Sequence, residues 1–171
     1  MRFDGIPAPV YYAQASQVNV QAPYTIAGNT STNVEVWYNG QSAGTITLAI
    51  TPAAPALYPA IANQDGSLNS QTQPAARGSV VTLYGTGDGL TDGANISGQA
   101  AAAPYPKPKL PATLTIGSVN AEVLYLGSAP GLVGTLQINA RVPGGFVPPG
   151  SADAQLTIGT VTSPAITIWL Q

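Results

Sequence analysis

Short segments in which apolar and polar residues alternate constrain the fold of this chain more than any other feature. Residues 17–22 (QVNVQA), 45–50 (TITLAI) and 79–85 (SVVTLYG) are examples, and similar segments recur to the C-terminus. A period of two places every second side chain on one face of a β-strand, whereas an amphipathic helix needs a period near 3.6. The 19 glycines and 16 prolines interrupt the chain too often for long helices. The sequence therefore predicts an all-β protein of antiparallel sandwiches.

An internal repeat is the second constraint. Residues 17–23 (QVNVQAP) return as 137–143 (QINARVP), and the same shift of 120 residues then holds to the C-terminus. Upstream, residues 3–13 align with residues 116–126, so that Val10 matches Val123. Because the matches keep their order and share a common shift, they indicate a duplication.

The second copy is preceded by segments that the first copy lacks. Residues 78–93 (GSVVTLYGTGDGLTDG) have the pattern of a strand and a glycine-rich turn, and a proline-rich connection follows at 104–111. Residues 56–171 then hold about seven strands, which is the number in one immunoglobulin-type sandwich. We therefore expect a complete sandwich at 56–171 and an incomplete one at 1–55, which has the C-terminal strands only.

Three segments carry a resemblance to a known family: 78–90 (GSVVTLYGTGDGL), 114–143 (LTIGSVNAEVLYLGSAPGLVGTLQINARVP) and 155–168 (QLTIGTVTSPAITI). They resemble the uncharacterised C-terminal domain of large secreted proteins of Acidobacteria, the Solibacter type, and more loosely the Ig-like sandwiches of the IPT/TIG kind. The resemblance covers 56–171, and 3–55 as the second half of the unit only. It implies an Ig-like, non-enzymatic extracellular module with no assigned site residues.

Composition argues against several functional classes. Only five residues are basic and the net charge is −2, whereas nucleic-acid binding needs clustered Lys and Arg. No apolar run reaches the length of a membrane span. The chain has no histidine and no cysteine, so the usual catalytic base and thiol nucleophile are absent. We expect no enzyme activity, no nucleic-acid partner and no membrane span.

Acidic residues in two glycine-containing loops are the candidate metal ligands. Asp65 lies in NQDGSLNS (63–70), while Asp88 and Asp92 lie in GTGDGLTDG (85–93). Their oxygens suit calcium, but neither loop has the spacing or the bidentate glutamate of an EF-hand. An Asp-Gly turn and a tight loop with positive-φ glycines explain the same residues. We favour the turn interpretation and expect no cofactor.

An incomplete sandwich has an apolar inner face that needs a cover. Burying one large apolar side chain is worth roughly 1.5–3 kcal/mol, and a whole domain is stable by only about 5–15 kcal/mol. Upstream strands of a longer chain, the second sandwich, or strands from another copy could supply the cover. The last arrangement, repeated head to tail, builds a filament. The residues expected on this interaction face are Val10, Tyr12, Val18, Val20, Val34, Val36, Tyr38, Ile46, Leu48 and Ile50.

These features together predict a structural role outside the cell. A weakly charged surface does little to oppose association between copies. We expect a non-catalytic extracellular or cell-surface module, a subunit of a fibre or stalk assembled by strand complementation or sandwich stacking. The alternative is a glycan- or surface-binding adhesin module at the C-terminus of a larger secreted protein. For that role Tyr11 and Trp37, which point away from the apolar face, would stack on sugar rings.

Overall fold

The computed structural model describes residues 1–145 and 147–171 and confirms the all-β prediction. Antiparallel strands dominate the described residues, with a short 3-10 turn at Tyr24–Ile26. Residues 1–55, which we call the first unit, contain β1 (Arg2–Phe3), β2 (Ile6–Pro7), β3 (Val10–Gln14), β4 (Gln17–Val20), β5 (Ser31–Tyr38) and β6 (Gln41–Ala49). Residues 56–171, the second unit, contain β7 (Ala56–Ala62), β8 (Val80–Thr86), β9 (Ala112–Ile116), β10 (Val119–Asn120), β11 (Glu122–Ser128), β12 (Leu136–Arg141), β13 (Gly150–Ile158), β14 (Val161–Thr162) and β15 (Ile166–Leu170).

The second unit is a sandwich of two antiparallel sheets. One sheet has the order β11-β12-β8-β7, and the other has β10-β9-β13 followed by β14 and β15, which both pair with β13. If the two-residue strands β10 and β14 are set aside, this is the four-plus-three strand order of a constant-type immunoglobulin domain. The alternating apolar residues of the two sheets meet in one core.

That core explains why the period-two pattern is so regular in the second unit. Leu83 and Ile138 project from one sheet, and Ile116, Leu156 and Ile168 project from the other, all with no exposed surface. Their neighbours along each strand are more exposed, as expected where one face of a sheet is buried.

The first unit repeats the second half of this sandwich strand for strand. Its sheet has the order β2-β1-β5-β6, and β3 and β4 form a separate hairpin. Phe3 pairs with Val34 as Ile116 pairs with Ala154. Each pair of the hairpin β3–β4 has its counterpart in β11–β12, including the irregularity that follows Val10 in one unit and Val123 in the other. The sequence repeat is therefore also a repeat of hydrogen-bonding register.

The two units contact each other through the linker at 50–55 and one end of the first unit's hairpin. The Ala54 backbone N–H donates to the carbonyl oxygen of Gly87 at 2.9 Å. The Tyr24 N–H donates to the Ser97 side chain at 3.0 Å. These contacts involve the linker and the hairpin, while every residue of β6 in the first unit's sheet is exposed.

Candidate functional site

The first unit has a core of its own, but this core is small. Phe3, Ala8 and Val34 are its buried apolar residues, with Val20 and Ile26 half-buried against them. The cluster lies where β1 and β5 meet the hairpin, so it covers only one end of the inner face.

The rest of that inner face is open to solvent. We define the open face as Val10 of β3, Val36 and Tyr38 of β5, and Ile46 and Leu48 of β6, all of which are exposed. Val34 and Ile46 are register partners, so β5 and β6 present one continuous surface beyond the small core. Every residue of β6 is exposed. An exposed apolar sheet face of this kind is a candidate site for association.

Matched positions of the two units differ in exposure. Leu48 is 45% exposed, whereas Ile168, its counterpart in the second unit, has no exposed surface. Tyr38 is 74% exposed, whereas its counterpart Ile158 is fully buried. Since the backbone pairing is the same in both units, the difference comes from what covers the sheet.

In the second unit the cover is the segment 56–86, which has no counterpart in the first unit. Strand β8 pairs with β12 along its full length. Strand β7 contacts β13 and β15 across the sandwich. The connection between β7 and β8 pairs with the outer edge of β15, where the Ala75 N–H donates to the Trp169 carbonyl oxygen at 2.8 Å and Asn69 bonds the Trp169 backbone.

Among the described residues of the first unit, no strand pairs with the outer edge of β4, covers the open face or pairs with the outer edge of β6. Among the described residues, β4 pairs only with β3, and β6 pairs only with β5. Each therefore has an outer edge of backbone N–H and carbonyl groups that another strand could pair with. The candidate site is this combination of two free edges with the open face between them.

The expected interaction residues divide into three groups. Val34 is buried, Val18, Val20 and Ile50 are half-buried, and the remaining six are exposed. Tyr12 does not lie where simple alternation places it. The irregularity between Val10 and Tyr12 pairs Tyr12 with Asn19 and brings Ala13 opposite Val18. Tyr12 therefore lies on the outer face, because a β-bulge adds one residue and inverts the alternation that follows.

The three candidate metal ligands lie in different settings. Asp65 accepts bonds from the Ser67 N–H and hydroxyl, and these bonds lower its pKa. Asp92 accepts the Lys107 N–H at 2.7 Å. Burial raises the pKa of Asp88, which disfavours a charged ligand there. The described residues contain no group of three His, Cys, Asp or Glu side chains that could hold a metal ion.

The two candidate sugar-stacking residues have different neighbours. Tyr11 lies against Gly134 of the second unit. Trp37 lies on the outer face of β5, where its Nε1–H donates to Glu35 at 3.0 Å and the Arg2 guanidinium lies 4.7 Å from the ring centroid. Arg2 thus occupies one face of the Trp37 ring, and the structure does not bring Tyr11 and Trp37 into one platform.

The junction between the units is a feature that the sequence did not indicate. A cleft of about 380 Å³ lies there, lined by Tyr24, Asp88, Thr91, Pro106 and Leu132 among others. Its residues come from both units and from the connection that precedes β9. Asp88 and Thr91 belong to the glycine-rich loop at 85–93 that the sequence singles out, but no motif predicts that Tyr24 lies near them, because the cleft forms only when the hairpin docks on the second unit.

Fold and site together define an all-β protein of antiparallel sheets, with one covered and one uncovered repeat of the same strand set. No protein-family profile, curated protein or solved structure matches the chain. The resemblance to the Acidobacteria C-terminal domain and to IPT/TIG sandwiches therefore stays a prediction. No helix among the described residues has the length and hydropathy needed to cross a membrane.

Proposed function

We propose that this chain is a non-catalytic structural module of an extracellular fibre or stalk, which assembles through the open face of its first unit. The observation that supports this proposal is the contrast between matched positions, exposed in the first unit and buried in the second. Covering three large apolar side chains that are now about half exposed contributes roughly 2–5 kcal/mol before the costs of association. Composition supports the extracellular setting, since only 7% of residues are charged.

A head-to-tail contact also fits the asymmetry of the chain. One end has uncovered strands, and the other has a finished sandwich with a fully buried core. A contact between two different surfaces does not close on itself unless the rotation permits a ring, and repetition produces a filament. The low net charge of −2 opposes such packing only weakly.

Sedimentation and electron microscopy of the purified chain test this proposal. We expect concentration-dependent assembly of the wild type into particles with a fixed repeat. Leu48→Glu should leave the chain monomeric, because it places a charge on the open face. Thr47→Glu is the matched control, since Thr47 is the next residue of the same strand and faces the other way. A monodisperse wild-type monomer at all concentrations would contradict the proposal.

A further inference from the structure

We propose that the open face accepts a pair of strands similar to β7 and β8. The strand that docks first, which is the equivalent of β8, adds to the free edge of β4. The inference rests on the proposed function, because it identifies what covers the same face. It commits to one occupant, an uncharged extended segment with aliphatic residues at alternate positions. That segment comes from a neighbouring module that carries it unpaired, because the β7–β8 pair of this chain is already built into its second unit. Without such a module, the purified chain associates through the open face without strand exchange.

A single segment of the β7–β8 kind would pair the free edge of β4, cover the open face and pair the free edge of β6. In the second unit, residues 56–86 pair with β12, cover the inner faces of β13 and β15, and bond the outer edge of β15. The first unit has the equivalent edges and face free. A second copy that packed face to face would cover the apolar residues but leave the backbone groups of β4 unpaired. Strand addition covers the face and pairs the edge.

The repeat also fixes the register of an added strand. In the second unit Leu83 lies opposite Ile138, and Val81 lies opposite Ala140. The repeat places Val18 and Val20 at the positions of Ile138 and Ala140. An incoming strand with the pattern of β8 therefore directs its aliphatic residues inward beside Val18 and Val20. A slip by one residue would turn those side chains to solvent, so a single register is favoured.

The second unit's own β8 is a poor source of the added strand. Val81 and Leu83 have no exposed surface in the second unit. If the chain gave up β8 to another copy, it would uncover Ile138 and Ala140 in its own core while covering equivalent residues elsewhere. The apolar burial lost in the donor would cancel the burial gained in the acceptor. A segment that is not already part of a finished sandwich loses no buried contacts, so all the apolar surface that it covers on docking is a net gain.

Disulfide cross-linking of the full chain to a synthetic peptide tests the edge and the register. The peptide has the sequence of residues 78–86 (GSVVTLYGT), and the chain has no cysteines to interfere. In the second unit Asn139 lies opposite Thr82, and Gln137 lies opposite Tyr84. The equivalent chain variants are Asn19→Cys and Gln17→Cys, both at exposed positions. The peptides contain Thr82→Cys or Tyr84→Cys.

Each of the four combinations of chain variant and peptide serves as a control for the others. We expect Asn19→Cys to cross-link with the Thr82→Cys peptide, and Gln17→Cys with the Tyr84→Cys peptide, at least about tenfold faster than the two diagonal pairs. Directly opposite residues reach disulfide distance, whereas diagonal ones lie farther apart. Addition of Leu48→Glu should abolish this preference. Equal rates in all four combinations, or no cross-linking, would overturn the inference.

The outcome separates this inference from the proposed function. If the chain assembles through Leu48 but shows no register preference with the peptide, the acceptor inference is wrong and the structural role stands. If the peptide docks in register while the chain neither assembles alone nor joins modules, the acceptor site stands and the fibre proposal is wrong. A wild-type dimer that exchanges its own β8 would also overturn the assignment of the source.

Discussion

Gly87 and Gly89 face the backbone of the linker at 50–55. A Cβ added to Gly87 would collide with the carbonyl oxygen of Ala54, and one added to Gly89 would collide with that of Pro52. Both glycines also have positive φ, which side-chain-bearing residues rarely adopt. The loop that composition makes a metal candidate is thus shaped by close backbone packing, and the Ala54–Gly87 hydrogen bond joins the two segments.

Gly87→Ala should destabilise the protein by at least about 2 kcal/mol, because steric overlap adds to the cost of positive φ. Gly66→Ala is the matched control: Gly66 has φ of 85°, close to the 80° of Gly87, but no atom lies within 4 Å of an added Cβ. Urea denaturation of the full chain measures both free energies of unfolding. Equal losses in the two variants would mean that the linker contact contributes nothing beyond backbone strain.

Asp88 should make stability fall as pH rises. Burial raises its pKa in the folded chain, so the folded state holds the proton more tightly than the unfolded state. Stability therefore declines from about pH 4 upward through the raised pKa and then levels, since the unfolded carboxyl titrates near 3.9. Asp88→Asn should remove this decline and raise the melting temperature at neutral pH.

Asp65→Asn provides a control of opposite sign. Hydrogen bonds from Ser67 lower the pKa of Asp65, so its contribution is present at neutral pH and is lost as pH falls through that lowered pKa. Melting curves of both variants between about pH 3 and pH 8 distinguish the two effects. If Asp88→Asn and the wild type show parallel pH profiles, burial of the Asp88 carboxyl has no energetic consequence.

Strands β6 and β15 occupy the same place in the two units but have different surroundings. β6 pairs with β5 and β15 pairs with β13 in the same register, Thr32 with Leu48 and Ala152 with Ile168. Only β15 has β7 packed over it and the 63–77 connection along its edge. Intrinsic strand propensity is therefore not what distinguishes them, and the energetic difference lies in packing.

Ile168→Ala and Leu48→Ala measure this difference at one matched position. Ile168→Ala leaves a cavity in a closed core and should cost about 2–5 kcal/mol. Leu48→Ala removes methyl groups that already contact solvent, so its cost in the monomer should stay below about 1 kcal/mol. Chemical denaturation at low protein concentration gives both values. Similar losses would mean that the open face is covered in the dilute chain.

The sequence predicts most strands because alternation survives wherever one face is buried. It does not single out β7, in which Pro59 interrupts the pattern and only Leu57 and Ile61 point into the core. The register shifts between those two residues. β7 is an edge strand, and edge strands and bulges are where proline is tolerated. The position of Tyr12 is not predicted for a related reason, since the alternating pattern of apolar residues does not reveal a bulge.

At the scale of the molecule, the sequence predicts both the repeat and the lack of opening strands in its first copy, because duplication preserves residue spacing. It does not predict the docking of the hairpin on residues 93–99, since that docking depends on single contacts such as the Gly98 N–H donating to Gln21 Oε1 at 2.7 Å. The accessible surface is 9404 Å², whereas one compact monomer of this mass exposes about 7800 Å². The exposed face of the first unit contributes to the excess.

The two units should therefore open independently, which native-state hydrogen exchange measures at matched amides. Val34 pairs with Phe3 and Ile46, and Ala154 pairs with Ile116 and Ile166. The two amides therefore have equivalent strand partners, and both residues are buried.

We expect the Val34 amide to exchange with an opening free energy at least about 2 kcal/mol lower than that of Ala154, because fewer apolar contacts close over it. Leu48→Glu keeps the chain monomeric for the measurement. Equal protection at the two amides would mean that the first unit draws its stability from the second. Stronger protection of Val34 in assembled wild type than in the monomer would locate the missing stabilisation at the open face.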